Sequence, residues 1–176
     1  MGVLARVVVS VTCSSAEFFD PTGCARLDAE VYPDPRVERF ISENFIPVKI
    51  HIKEQPKTFE RFGAQWTPTM QLLDPDGNKR HQFEGFLPPD DFLAQLKLGL
   101  AHSAFARQQW KEAENRYEDI VKTLPETDAA PEALYWLGVS RYKGSGDGTH
   151  LQHTAQAFKN SYTDSTWAKK ASVWGN

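Results

Sequence analysis

Two cysteines, Cys13 and Cys24, are the residues of this sequence with the clearest capacity for chemistry. A cysteine thiolate attacks disulfides and binds metal ions, and its reactivity depends on how far its surroundings lower the thiol pKa. Because there are only two cysteines, the sequence excludes a four-cysteine zinc site and a disulfide-rich secreted scaffold. Ten residues separate the pair, so a disulfide is geometrically possible, although the spacing does not establish one.

Other ligand and cofactor motifs are weak. Among five histidines, His150 and His153 are three residues apart and would share one face of a helix. No third or fourth ligand accompanies them, so we favour a solvated helix face and predict no metal site. No glycine-rich phosphate loop occurs, and no cofactor is predicted.

The hydrophobic pattern predicts the elements that would position the cysteines. β-Branched residues crowd Val7–Thr12, and apolar residues alternate over 44–52, so both stretches are predicted strands. Two further strands, 66–73 and 81–86, flank an Asp-Pro-Asp-Gly turn signal. A return through a helix gives parallel strands and a hairpin gives antiparallel ones. We therefore expect an α/β domain with helices on both sides of a mixed sheet.

Six short pieces, in fixed order and spacing, carry a resemblance to a known family. They are Cys24-Ala25-Arg26-Leu27-Asp28, Asp34-Pro35-Arg36-Val37, Glu43-Asn44-Phe45-Ile46-Pro47-Val48-Lys49, Trp66-Thr67-Pro68-Thr69, Asp74-Pro75-Asp76-Gly77 and Gly85-Phe86. On these pieces, residues from about 12 to 96 resemble the thioredoxin-like superfamily, in particular its bacterial thioredoxin-like proteins. The resemblance implies a three-layer α/β/α fold and the thiol–disulfide redox class.

The resemblance also implies an incomplete redox motif. In that family a C-x-x-C pair opens the first long helix, with a nucleophilic first cysteine and a resolving second one. Cys24 matches the resolving position and Pro21 matches the nucleophile, so the standard dithiol cycle cannot run through this pair. Three interpretations of Cys24 stay open: an inert buried relic, a monothiol that forms a mixed disulfide or a sulfenic acid, or a partner of Cys13.

A second implied landmark is the segment Trp66-Thr67-Pro68. In the family this proline is cis and lies against the redox motif, and the preceding residue offers its backbone to an extended peptide. We therefore expect Trp66, Thr67 and Pro68 to bind substrate, and such a groove does not require the missing cysteine. The alternative is that a cis proline here only shapes the start of a strand.

From about residue 101 the sequence becomes rich in alanine and helical in pattern. Ala101, Ala113, Tyr117 and Pro125 match the small, small, aromatic and proline positions of a tetratricopeptide unit, and Gly138 begins a looser copy. A plain helical extension is the alternative, since only one copy matches well.

The predicted domain organisation is therefore a thioredoxin-like domain over 1–100 and a tetratricopeptide-like tail over 101–176. The net charge of −3 is too weak to indicate nucleic acid. No apolar run reaches the roughly 20 residues of a membrane helix. The amino-terminal residues lack the long apolar stretch of a signal peptide, which favours a cytoplasmic protein over an exported one.

Two functions are compatible with this sequence. The first is a thiol–disulfide protein with an incomplete active site and weak or monothiol redox activity. The second is a non-enzymatic module that binds proteins through the proline groove and the tetratricopeptide-like helices. Both predict a protein or peptide partner, and neither predicts an oligomeric state.

Overall fold

The computed structural model describes residues 7–12, 22–51 and 53–175. The chain divides after Gly99 into two compact units, here called the sheet unit and, from Leu100 onward, the helical unit. The elements are β1 (Val7–Thr12), α1 (Thr22–Arg26), a π-helical segment (Leu27–Val31), α2 (Pro35–Asn44), β2 (Ile46–His51), α3 (Pro56–Phe62), β3 (Thr69–Leu73), β4 (Lys79–Glu84), α4 (Pro89–Ala106), α5 (Trp110–Thr123), α6 (Ala129–Ser145), α7 (Thr149–Asn160), α8 (Thr166–Ala171) and a 3₁₀ turn (Ser172–Trp174).

A mixed sheet in the order β2-β1-β3-β4 forms the centre of the described part of the sheet unit. β1 runs parallel to β2, with Val7 opposite Ile46. It runs antiparallel to β3, with Val7 opposite Leu73. β3 and β4 are antiparallel, with Met70 opposite Phe83. The predicted mixed sheet is confirmed, because a helical connection separates the parallel pair and a hairpin joins the last two strands.

Helices cover both faces of this sheet. On one face, Phe83 of β4 packs edge-on against Phe92 of α4, with ring centroids 5.4 Å apart. On the other face, the buried Ile50 of β2 packs with Ala64 and with Phe62 of α3. Successive side chains of a strand point to opposite faces, so one sheet contributes to both layers of core. The predicted three-layer α/β/α arrangement is confirmed.

The hairpin between β3 and β4 is organised by Asp74, which is 2% exposed. Its carboxylate accepts the backbone N–H groups of Asp76 and Asn78 at 3.0 and 2.9 Å and the Arg80 Nε–H at 2.7 Å. Gly77 has a φ of +81°, which favours glycine. Burial raises the pKa of Asp74, but hydrogen bonds from Asn78 and Arg80 lower it more, to about 2. The turn signal in the sequence thus became a buried carboxylate turn.

The predicted alternation over 44–52 only partly describes β2. Ile50 is 1% exposed, whereas Val48 is 39% exposed and Ile46 is 51% exposed. β2 is an edge strand of the described sheet, and only its residue beside Ala64 and Phe62 is fully covered. An alternating pattern reports which side chains share a face, but it does not report whether a second layer covers that face.

The helical unit is held together by a partly buried polar network and by close helix packing. The Tyr117 hydroxyl lies 2.7 Å from His102 Nδ1, and His102 Nε2 lies 3.1 Å from a Glu132 carboxylate oxygen. Tyr117 is fully buried, and burial, followed by the nearby Glu132 charge, raises its pKa well above the usual range. A Cβ added to Gly138 of α6 would overlap Thr154 of α7, so the glycine permits that close approach.

Half-buried aromatic side chains form a second cluster in the helical unit. Tyr135 stacks on Trp174 with a centroid separation of 4.6 Å and lies 5.2 Å from Trp167. The Lys170 ammonium lies 3.8 Å from the centre of the Trp167 ring, a cation–π distance. The helices are therefore joined by aromatic contacts as well as apolar ones. None of the described helices is long and apolar enough to span a bilayer.

Candidate functional site

The short helix α1 carries Cys24 on its inner face, where the residue is 4% exposed. Leu27 and Val31, three and seven residues further on, are fully buried. This spacing puts all three on one side of the helical stretch. The residues between them face outward, because the Asp28 carboxylate meets the Lys49 ammonium at 2.7 Å. The sequence predicted the position of Cys24 at a helix start, and the tertiary structure adds that its sulfur is buried.

The Thr67–Pro68 peptide bond is cis, and Pro68 lies directly against the start of α1. A Cβ placed on Gly23 would come within 3.0 Å of Pro68 Cδ, which leaves no room for a larger residue without a shift. The Pro68 carbonyl accepts the Gly85 N–H at 2.8 Å, which connects this turn to the end of β4. The fold therefore brings the residue next to Cys24 into contact with the proline that follows Thr67.

Trp66 and Thr67 differ sharply in exposure. Thr67 is 1% exposed, whereas Trp66 is 47% exposed. The Trp66 carbonyl accepts the Thr69 hydroxyl at 2.7 Å, which stabilises the turn into β3. A large exposed indole beside a fixed turn is a candidate contact for a partner, because Trp is enriched at the energetic centres of interfaces.

Arg26 and Phe86, for which the sequence predicted no role, lie close to Gly23. The Arg26 guanidinium carbon lies 3.7 Å from the centre of the Phe86 ring, close enough for a cation–π contact. Glu30 accepts from Arg26 Nε at 2.8 Å, and this hydrogen bond lowers the pKa of Glu30 and raises that of Arg26. Phe86 also approaches Gly23, since its Cβ would lie 3.9 Å from an added Cβ there. No local sequence pattern links residues sixty positions apart, so only the fold could reveal this pair.

Two expected site residues, Cys13 and Pro21, lie outside the described residues. The proposed partnership of Cys13 with Cys24 therefore stays a prediction. Within the described ranges, no group of three histidine, cysteine, aspartate or glutamate side chains is arranged to hold a metal ion. The chemistry that these ranges can support is that of one buried cysteine beside a cis proline.

Part of the sheet unit is similar to a known protein family. Residues 19–99 match the family model described as a thioredoxin-like domain. This match lies within the sheet unit, which ends at Gly99. The resemblance predicted from six short sequence pieces is thereby confirmed for this part of the chain. No curated protein sequence matches the chain.

Three solved structures are similar in fold to part of this chain. A thioredoxin from Thermus thermophilus is 20% identical, with 58% of this chain and 79% of that chain covered and a TM-score of 0.49. A thioredoxin-fold protein from Helicobacter pylori is 18% identical, with 53% and 68% covered and a TM-score of 0.47. The C-terminal domain of Neisseria meningitidis DsbD, in the oxidised form, is 17% identical, with 51% and 75% covered and a TM-score of 0.41.

Proposed function

We propose that the thioredoxin-like domain binds an extended segment of a partner protein along Trp66, Thr67 and Pro68, without running a dithiol redox cycle. The observation that carries this proposal is the contact of Gly23 with a cis Pro68 beside a half-exposed Trp66. An extended segment would contact the exposed indole and run along the turn before β3, a form of strand addition.

The burial of Cys24 favours binding over redox turnover. A thiol must be accessible as a thiolate to attack a disulfide. Cys24 is 4% exposed, and the resemblance aligns Pro21, which has no sulfur, with the attacking position. The dithiol cycle of the family therefore lacks its usual first step, whereas a backbone groove needs no thiol.

Binding is tested with reduced ribonuclease A whose cysteines are carbamidomethylated, an unfolded chain without thiols, titrated calorimetrically into the full protein. We expect Trp66→Ala to weaken binding about tenfold, the loss typical of an aromatic hot spot. The matched control is Tyr142→Ala, because Tyr142 of the helical unit is also exposed, at 38%. Unchanged affinity in the Trp66 variant would contradict the proposed binding groove.

The second candidate function is monothiol redox activity, and the proximity of the Cys24-bearing helix to Pro68 supports it. In this reaction the Cys24 thiolate would attack a partner disulfide and form a mixed disulfide, and the other partner sulfur would leave as a thiolate. A glutathione thiolate would then attack the partner sulfur, release Cys24 as a thiolate and leave a glutathione–partner mixed disulfide.

Insulin reduction in the presence of glutathione separates the two candidates. The binding proposal expects the same rate with and without the protein, and the same unfolded-chain affinity for Cys24→Ser. Turnover that disappears in Cys24→Ser but persists in Cys13→Ser would establish the monothiol reaction instead. Thiol titration of the Cys13→Ser variant supplies the reactivity of Cys24 alone, which we expect to rise strongly on unfolding because burial limits access.

The helical unit enters the proposal as a recruiter of a protein partner. Its tetratricopeptide-like pattern supports this role, since stacked helix pairs of that kind present surfaces for partner segments. A cytoplasmic setting, in which thiols are kept reduced, belongs to the same proposal. Fluorescent-protein fusion and fractionation would test that setting, and an exported fusion would contradict it.

A further inference from the structure

A cavity of about 440 Å³ opens between α7, α8 and the 3₁₀ turn of the helical unit. Its apolar floor includes Ala155 and Phe158, which are 5% and 3% exposed. The walls add the ammonium groups of Lys159 and Lys169 and the hydroxyl-bearing Thr163. This space is here called the α7–α8 groove. It thus combines a buried apolar base with two cationic side chains.

The charge of the groove is not neutralised within the described part of the chain. No acidic residue lines it, and neither Lys159 nor Lys169 meets a carboxylate of a described residue. Other lysines of the helical unit behave differently: Lys111 pairs with Glu114 at 3.0 Å, and Lys122 pairs with Glu118 at 3.1 Å. Two unpaired ammonium groups over a concave surface attract anionic groups more strongly than scattered paired charges do.

The surrounding elements reinforce this positive field. α7, Thr149–Asn160, contains no aspartate or glutamate, and α8, Thr166–Ala171, contains none either. Lys170 of α8 follows the groove residue Lys169 in sequence. Its ammonium lies 3.8 Å from the centre of the Trp167 ring. Val173 in the following turn is 70% exposed and adds an apolar surface. The loop between these helices carries one exposed carboxylate, Asp164, which does not line the groove, so the lining itself is basic and apolar.

We infer that the α7–α8 groove binds an acidic protein segment in which one or two apolar side chains are flanked by aspartate or glutamate. An apolar side chain would contact the floor at Phe158, and the flanking carboxylates would pair with Lys159 and Lys169. Nucleic acid fits less well, because phosphate backbones require an extended row of cations. This inference is independent of the Trp66–Pro68 groove, which belongs to the other unit.

The inference is tested by fluorescence anisotropy with the full chain and a fluorescein-labelled peptide, Glu-Glu-Leu-Leu-Glu-Glu. We expect the Gln-Gln-Leu-Leu-Gln-Gln analogue to bind about tenfold more weakly, because charge complementarity is lost. Lys159→Glu and Lys169→Glu should each weaken binding of the acidic peptide about fivefold, since an exposed ion pair is replaced by repulsion. The matched control is Lys143→Glu, an exposed lysine of α6 outside the groove.

Several results would overturn the inference. These are no binding of the acidic peptide, equal binding of the glutamine analogue, or an equal loss in the Lys143 control. A thymidine oligonucleotide that competes as well as the unlabelled acidic peptide, at equal concentration, would also overturn it. That result would show that the groove binds anions in general. Lys159→Glu should leave the binding of unfolded ribonuclease unchanged, so failure at this groove is distinguishable from failure of the Trp66–Pro68 proposal.

Discussion

The sheet unit and the helical unit build their candidate binding surfaces from different kinds of neighbours. In the sheet unit, Gly23 meets Pro68 and Arg26 meets Phe86, so the surface depends on residues far apart in sequence. In the helical unit, the α7–α8 groove comes from adjacent helices and a short turn. The first surface therefore depends on the whole sheet, whereas the second follows from local helix packing.

The two units also differ in how tightly their elements pack and in which polar groups they bury. The helical unit permits no extra atom between Gly138 and Thr154, and its polar network leaves Tyr117 fully buried. The sheet unit buries a charge, Asp74, inside a turn that satisfies it. Added atoms, lost charges and lost hydroxyl groups should consequently have separable effects.

The largest effect is expected from Gly138→Ala. The new Cβ would overlap the β-branched Thr154, whose Cβ belongs to a helix and cannot rotate away. Overpacking of this kind costs about 2 kcal/mol, more than the alanine gains in helix propensity. Urea unfolding measures the loss. Gly148→Ala is the control, because an added Cβ there meets nothing within 4 Å, and equal losses in both variants would refute the packing argument.

The next effect concerns the buried charge of the sheet unit. Asp74→Asn should destabilise the folded state by about 2 kcal/mol near neutral pH, since the ionised carboxylate is hydrogen-bonded there and a pKa shift of one unit is worth 1.36 kcal/mol. The folded pKa is about 2, below the ordinary 3.8. The stabilisation is therefore present above pH 4 and is lost as the pH falls toward 2.

Unfolding free energies between pH 7 and pH 2 check this prediction. The wild type should lose stability relative to Asp74→Asn as the pH falls from about 4 to about 2. Asp164→Asn, a change at an exposed aspartate of the helical unit, is the control for removing a carboxylate in general. A constant difference between wild type and the Asp74 variant across that range would contradict the assignment.

A smaller effect is expected from Tyr117→Phe in the helical unit. The change removes the hydroxyl that lies 2.7 Å from His102 Nδ1 and leaves that ring nitrogen without its hydrogen-bond partner. The loss of one hydrogen bond at a buried site costs about 1 kcal/mol. Chemical denaturation measures it against Tyr142→Phe, an exposed tyrosine at 38%. Equal stability of the two variants would show that the network contributes nothing.

The smallest change in stability should come from Gly23→Ala in the sheet unit. Its Cβ would stand 3.0 Å from Pro68 Cδ, so the proline must shift by a few tenths of an ångström. Alanine offsets part of this cost through helix propensity, and the net change should stay below about 1 kcal/mol. Binding of unfolded ribonuclease should nevertheless weaken, because the groove moves with Pro68. Unchanged affinity together with reduced stability would show that Gly23 does not contribute to the binding groove.

Much of the sheet unit was predictable from local patterns. β-Branched runs and alternation located the strands, and the Asp-Pro-Asp-Gly signal located the turn that Asp74 organises. Their order predicted the mixed sheet, because helical and hairpin connections favour opposite strand directions. Such signals act over a few residues, which is why they can be read from the chain.

The state of the candidate sites depended on tertiary packing. Three features depend on segments that are far apart in sequence: the burial of Cys24, the contact of Gly23 with Pro68 and the Arg26–Phe86 pair. The local sequence of one segment does not indicate which other segment it will contact. Lys159 and Lys169 are closer in sequence, but the groove that they share also forms only because α7 and α8 pack side by side. Local propensity specifies which elements form, whereas solvent exposure and side-chain contacts arise only after distant elements meet.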